Sequence, residues 1–264
     1  MIARGKLRSW EKFVPALVIA GFFLIWELLA KGELVSRLFF PAPTKILENF
    51  WGMIIDGSML MHLAATLQRL LAALVLGGIP GILLGLAMGW SSSLRTLVDP
   101  LVAALHPIPK IAVFPLIIMF FGIGETSKIV AIAITVFFPC LINSMAAVRQ
   151  LPPVYFDVAR NYGASRFKTF QRVVWPGSLP MVLAGLRIAS AVALTVTIAV
   201  ELLSAGKGLG VVIWFSWQTF RTADLYSALI VIALLGILFN VLMKKMGEIL
   251  IPWSLDHREG IISG

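Results

Sequence analysis

Six stretches of this chain are each long and apolar enough to cross the hydrocarbon core of a bilayer. They cover about 13–30, 63–90, 97–122, 129–148, 181–203 and 225–243. A membrane-crossing helix needs roughly 20 such residues. Inside a bilayer no water satisfies backbone N–H and C=O groups, so a chain of this kind pairs them within helices. The sequence therefore predicts an all-α, polytopic membrane protein with six transmembrane helices. Its 59% hydrophobic and 13% charged residues exclude an ordinary water-soluble domain.

The third stretch cannot be one straight helix, because Pro107, Pro109 and Pro115 interrupt it. Freed backbone groups are tolerated at membrane depth only beside protein or a watery cavity, so this span is expected to sit inward. The N-terminal apolar run is longer and bulkier than the core of a signal peptide, and no small-residue cleavage site follows it. It is read as a retained first span.

Orientation follows from Lys and Arg. With both termini in the cytoplasm, thirteen of the 22 basic residues fall inside, among them Arg4, Lys6, Arg8, Lys12, Arg95, Arg149, Arg166, Lys168 and Arg258. Six fall outside, and Arg69, Lys110 and Arg187 lie within spans. This positive-inside bias puts the loop at 151–180 in the cytoplasm. It also accounts for the formal net charge of +9 without nucleic acid, since the basic residues are spread by loop.

One domain is expected. Residues 1–61 hold the first span and a short interfacial helix in PAPTKILENFWGMI, with Thr44 as its cap and Phe50 and Trp51 as anchors. Residues 62–250 form the core, and 251–264 a cytoplasmic tail. The aromatic-rich segment SAGKGLGVVIWFSWQTFRTAD between the last two spans is too short for a domain and reads as re-entrant or interfacial.

Gly77, Gly81, Gly85 and Gly89 recur every four residues, which lines one helix stripe for close packing within the bundle or, as the lesser reading, between two copies. Ser190, Thr197, Glu201 and Ser204 share a face of the fifth span, and polar groups there are candidates for lining a pathway. The competing reading is interhelical hydrogen bonding, with Glu201 simply solvated near the outer interface. Lys110 is a candidate contact for an anion, against the plainer reading that it snorkels to the boundary. Arg187 reads as snorkelling too, and His106 as a helix-end residue. No phosphate-binding loop or hydrolase motif occurs, and His62, His106 and His257 are too scattered for a metal site. No catalytic or metal residue is expected.

The loop at 151–180 is the longest break in the apolar pattern. Pro152 and Pro153 suit a helix start, Gly163 interrupts that helix, and Ser165 can cap a second one running to about Val174. Phe167, Phe170 and Val174 are expected on one apolar face, with Pro176 and Pro180 closing the segment. Asp157, Val158, Ala159, Gly163, Val173, Trp175 and Pro176 keep the spacing of a known pattern: Glu-Ala-Ala, three residues, Gly, nine residues, Ile, one residue, Leu-Pro. The loop thus resembles the ATPase-docking loop of permease subunits in ABC importers, with Asp for Glu, Val for Ala, Val for Ile and Trp for Leu.

The runs PIPKIAVFPLIIMFFGIGETSKI and ELLSAGKGLGVVI are similar to permeases of the nitrate, sulfonate, taurine and bicarbonate group. That resemblance implies a type I importer permease fold in the inner membrane. It also implies two permease copies or a pair of related permeases, two ABC ATPase subunits that bind the ATP, and a substrate-binding protein outside the membrane. Asp157, Ala159, Gly163, Ala164, Ser165 and Phe167 would meet the ATPase, and this chain would carry no cofactor of its own. The cargo implied is a small oxyanion, with an aromatic acid or a vitamin or pyrimidine precursor as the alternative. An intramembrane hydrolase would need a facing nucleophile and base, which the sequence does not offer. An ungated channel would show no dependence on an ATPase.

Overall fold

The computed structural model describes residues 14–253. Arg4, Lys6, Arg8, Lys12, His257 and Arg258, and most of the proposed tail, lie outside the described residues. Every regular element among the described residues is helical. Five helical stretches are long and apolar enough to span a membrane: Val14–Lys31, Ser58–Trp90, Glu125–Arg149, Arg166–Leu202 and Thr222–Leu250. The sixth is a broken pair, Ser92–Leu105 and Lys110–Phe121, bent by 85°. At about 1.5 Å per residue neither half reaches across a ~30 Å core, as the three prolines predict.

In chain order the helices are α1 (Val14–Lys31), α2 (Pro43–Ile55), α3 (Ser58–Ala73), α4 (Ile79–Trp90), α5 (Ser92–Leu105) and α6 (Phe114–Phe121). They continue as α7 (Glu125–Arg149), α8 (Pro153–Asn161), α9 (Arg166–Thr169), α10 (Trp175–Leu202), α11 (Leu209–Gln218) and α12 (Thr222–Leu250). Between α2 and α3, the hydroxyl and N–H of Ser58 hold the Asp56 carboxyl below the usual carboxylate range.

Helix α7 is the centre of the bundle and packs most extensively against α4 and α10. Ile132, Val136 and Cys140 are fully buried there with Leu70, Ala73, Ala189 and Ala193. Lipid tails are as apolar as leucine, so burying carbon gives little drive for helices to associate in a bilayer, and close packing must supply it. The glycine stripe does so within one chain. A Cβ placed on Gly77, Gly81, Gly85 or Gly89 would fall within 2.8 Å of the carbonyl oxygens of Ala133, Phe137, Leu141 and Met145 respectively. Each glycine costs a helix about 1 kcal/mol relative to alanine, and the close approach of α7 offsets it. The stripe therefore packs on α7 and is not left free for a second copy.

Two stretches of π-helix, Leu74–Gly78 and Phe170–Val174, make each of two long spans continuous. Both end two residues before a proline, Pro80 and Pro176. A proline has no N–H to donate and its ring crowds the carbonyl four residues back, a conflict that a wider turn relieves. This corrects the expected end of the cytoplasmic segment. Pro176 lies in the first turn of α10 and Pro180 inside it, so neither closes anything.

Thr44 also departs from expectation. The residue capping α2 is Ala42, without a side-chain bond. Thr44 instead donates its N–H and hydroxyl to the Glu27 carboxylate, at 3.0 and 2.7 Å, and so ties α2 to α1. Helix α1 otherwise stands apart, with only Ala30 buried, and its Trp26 ring meets Tyr226 of α12 at 5.5 Å. Helix α11 has ten residues, too few to span, as expected of a re-entrant or interfacial element.

Candidate functional site: an elbow and a buried ion cluster at opposite ends of two helices

The elbow joins the C-terminus of α7 to the N-terminus of α10. Pro152 caps α8 and Pro153 opens it. Its end is a Schellman turn: Gly163, at φ +66°, donates its N–H to the Arg160 carbonyl, and Ala164 donates to Ala159, both at 2.9 Å. An L-residue is strained in that left-handed conformation, so glycine suits the position. Ser165 caps α9 as expected, its hydroxyl accepting the Lys168 N–H at 3.4 Å and its carbonyl accepting the Thr169 N–H.

Among the expected docking residues, Asp157, Gly163, Ser165 and Phe167 are exposed, while Ala159 and Ala164 are half-buried. The three residues expected on one apolar face differ in burial. Val174 is fully buried and Phe170 half-buried, but Phe167 is 74% exposed, and Thr169 is the one buried residue of α9. With Tyr155, Val158 and Tyr162 (87% exposed), Phe167 gives the elbow an uncovered apolar rim.

At the other end of α7 and α10 the structure brings together charges that lie far apart in sequence. Glu201 is fully buried, which overturns its reading as a solvated carboxylate. Its Oε1 accepts from the Arg69 guanidinium at 2.5 Å, and Thr66 donates to both carboxylate oxygens. The Gly210 N–H donates to Oε2 at 2.9 Å. Arg69 is itself 2% exposed and donates through its other nitrogens to Glu125. Lys128 completes the cluster, donating to Glu125 at 3.3 Å and to the Ala205 carbonyl at 3.2 Å. A buried charge is tolerated only when paired and hydrogen-bonded, and both conditions hold here.

This cluster binds α3, α7 and α10 to the loop before α11. Thr66 also accepts the Leu209 N–H, and His62 Nδ1 lies 3.0 Å from the Gly208 nitrogen. A Cβ on Gly208 or Gly210 would collide with Glu201. Sequence reasoning placed Arg69 within a span but gave it no partner, and it passed over Thr66 and Glu125. An arginine and a glutamate, each inside an apolar run, were the available signal.

The remaining pathway candidates are scattered. Ser190 and Thr197 are buried and donate their hydroxyls to the carbonyls of Leu186 and Ala193, one turn back on their own helix. Ser190 also borders a cavity of about 220 Å³ with Arg187 and Asn240. Arg187 is exposed and donates to Asn240 of α12 at 2.5 Å. Lys110 donates to the carbonyls of Leu105, His106 and Ile108 at 3.0, 2.6 and 2.7 Å, closing the end of α5, and sits 4.6 Å from the Phe138 ring centre. Among the described residues no cluster of three His, Cys, Asp or Glu could hold a metal.

Residues 81–254 match the family described as binding-protein-dependent transport system inner membrane component. The chain is 34% identical over 240 residues to the taurine transport system permease protein TauC of Escherichia coli, covering 89% of this chain and 87% of that one. It is 31% identical over 261 residues to the nitrate import permease protein NrtB of Leptolyngbya laminosa, covering 96% of this chain and 91% of that one. In fold it is similar to a chain of the inward-facing MetNI methionine ABC transporter, with a TM-score of 0.64 at 16% identity over 74% of this chain and 97% of that chain. The two sequence relatives are named as transport permeases rather than enzymes. With helices that cross the membrane several times and a relative above 30% identity along most of its length, the chain belongs to the family of binding-protein-dependent transport system inner membrane components.

Proposed function

We propose that this chain is the passive gate of an ATP-driven importer of small oxyanions, levered by a motor that grips the elbow. The observation that carries the proposal is the elbow's uncovered rim, Tyr155, Val158, Tyr162 and Phe167, on a segment fixed to the ends of both central helices. Exposed apolar groups gathered on a basic loop mark a protein contact. The partners proposed are two ABC ATPase subunits, which bind the ATP, a second copy of this chain, and an extracytoplasmic binding protein. Both termini and the elbow lie in the cytoplasm on this reading, in line with the bias of basic residues.

Because α7 and α10 run from the elbow to the ion cluster, a push at one end is delivered to the other as rigid-body motion. ATP and the loaded binding protein bias this two-state device by each binding one state better. Thr197, Glu201 and Lys110, whose polar atoms are all engaged, are assigned to holding the bundle. Ser190, beside a cavity, keeps its assignment to the pathway. The cargo is proposed as a sulfonate or nitrate-like anion because relatives are named for taurine and nitrate. Uptake of labelled taurine and nitrate by cells carrying the transporter genes tests this reading. ATP-dependent uptake of one, competed by the other class of anion weakly or not at all, is the expected result. Uptake of neither would refute the cargo, and uptake without an ATPase would refute the gate.

A further inference from the structure

A second feature of the elbow end concerns charge. Arg95 from the first turn of α5, Arg149 from the last turn of α7, Arg160 from α8 and Arg166 from α9 line one open cavity of about 830 Å³. They come from four elements, so their convergence is not a run of neighbouring basic residues. Asp157 is the only carboxylate among the described lining residues, and it reaches Arg160 at 4.0 Å. Arg95, Arg149 and Arg166 have no ion-pair partner among the described residues.

Four like charges around one concavity repel, and a low-dielectric wall concentrates their field into the space between them. Trp90 and Phe156, with ring centres 6.1 Å apart, form such a wall. Ser91, Ser92 and Ser93, at the start of α5, line another side, where amide N–H groups have no partner within the helix. Guanidinium groups match tetrahedral oxyanions through paired N–H donors.

We propose that this cavity binds a phosphate-type oxyanion, which braces the α4–α5 turn against the elbow. Two sources offer that chemistry at the inner boundary of a membrane: the phosphate of an anionic lipid headgroup and a free oxyanion from the cytoplasm. The inference rests on the cavity and holds whichever solute the protein carries.

The test uses the full chain in nanodiscs of phosphatidylcholine, with and without phosphatidylglycerol. Inorganic phosphate is titrated calorimetrically into the discs lacking phosphatidylglycerol, and native mass spectrometry counts phosphatidylglycerol retained from the mixed discs. The wild type is expected to bind at least one of these, and Arg95→Gln/Arg149→Gln to bind it at least tenfold more weakly. Saturable phosphate binding identifies the free anion as the source. Retained phosphatidylglycerol without phosphate binding identifies the headgroup. Arg95→Lys/Arg149→Lys, which keeps the charge, should recover part of the binding and so separate anion recognition from misfolding. No binding of either probe by the wild type, or equal binding by the double Gln variant, would overturn the proposal. So would arginines shielded from phenylglyoxal only once the ATPase subunit is added, since their counter-charge would then be that subunit's carboxylates. None of these readouts involves uptake, so they fail independently of the transport reading.

Discussion

Arg69 and Glu201 lie 132 positions apart and meet at 2.5 Å with both side chains sealed from solvent. Removing one member of a buried pair strands the other's charge and costs about 3–5 kcal/mol. The two losses are not equal here. Without Glu201, Arg69 still faces Glu125, whereas without Arg69 the Glu201 carboxylate keeps only Thr66 and the Gly210 N–H. Arg69→Ala is therefore expected to cost nearer 5 kcal/mol and Glu201→Ala nearer 3, as measured by reversible unfolding in mixed micelles. The reverse order would show that Glu125 does not hold Arg69.

The glycine stripe makes a local prediction. Gly85→Val drives a side chain into the Leu141 backbone and Ser144, whereas Gly21→Val on exposed α1 meets nothing within 4 Å. Overpacking typically costs 1–3 kcal/mol, and a collision with backbone belongs at about 3 or above. Thermal unfolding of purified protein should fall clearly for Gly85→Val and stay within error for Gly21→Val.

Gly163 separates folding from coupling. Its left-handed φ makes Gly163→Ala cost about 1–2 kcal/mol locally, yet a Cβ there meets no atom within 4 Å. Gly163→Arg should accordingly insert in normal amount while losing binding-protein stimulation of ATP hydrolysis. Membrane quantification beside an ATPase assay on the reconstituted complex checks both halves. Normal uptake by this variant would count heavily against ATPase docking at the elbow.

Lys110 discriminates a structural role from a substrate contact. Its ammonium is taken up by three carbonyls closing α5. Lys110→Gln should lower stability by about 1.5–3 kcal/mol, the range of charge-assisted hydrogen bonds, and leave the KM for uptake unchanged. A tenfold rise in KM with unchanged stability would assign it to the anion instead.

The elbow was legible because its signals are local. Pro153 begins a helix, Gly163 supplies the positive φ and Ser165 caps the next helix, and each acts within four residues. The break in the third span was legible for the same reason. The ion cluster was not, because pairing Arg69 with Glu201 and Glu125 depends on how three helices pack. Glu125 and Lys128 also interrupt the apolar pattern at the start of α7, which begins four residues before the expected span at 129. Pro176 and Pro180 misled in the other direction, since the π-helical turn that accommodates Pro176 has no sequence signature of its own.

Cys140 is the chain's one cysteine and is buried, so a cysteine added at the surface can be labelled alone. Tyr162→Cys places that thiol on the most exposed part of the elbow. Vesicles of both orientations are treated with a membrane-impermeant maleimide, with and without the ATPase subunit. Labelling confined to inside-out vesicles, and suppressed when the ATPase subunit is bound, is the expected outcome. Labelling in right-side-out vesicles would put the elbow on the far side of the membrane, where no ATP-driven motor could reach it.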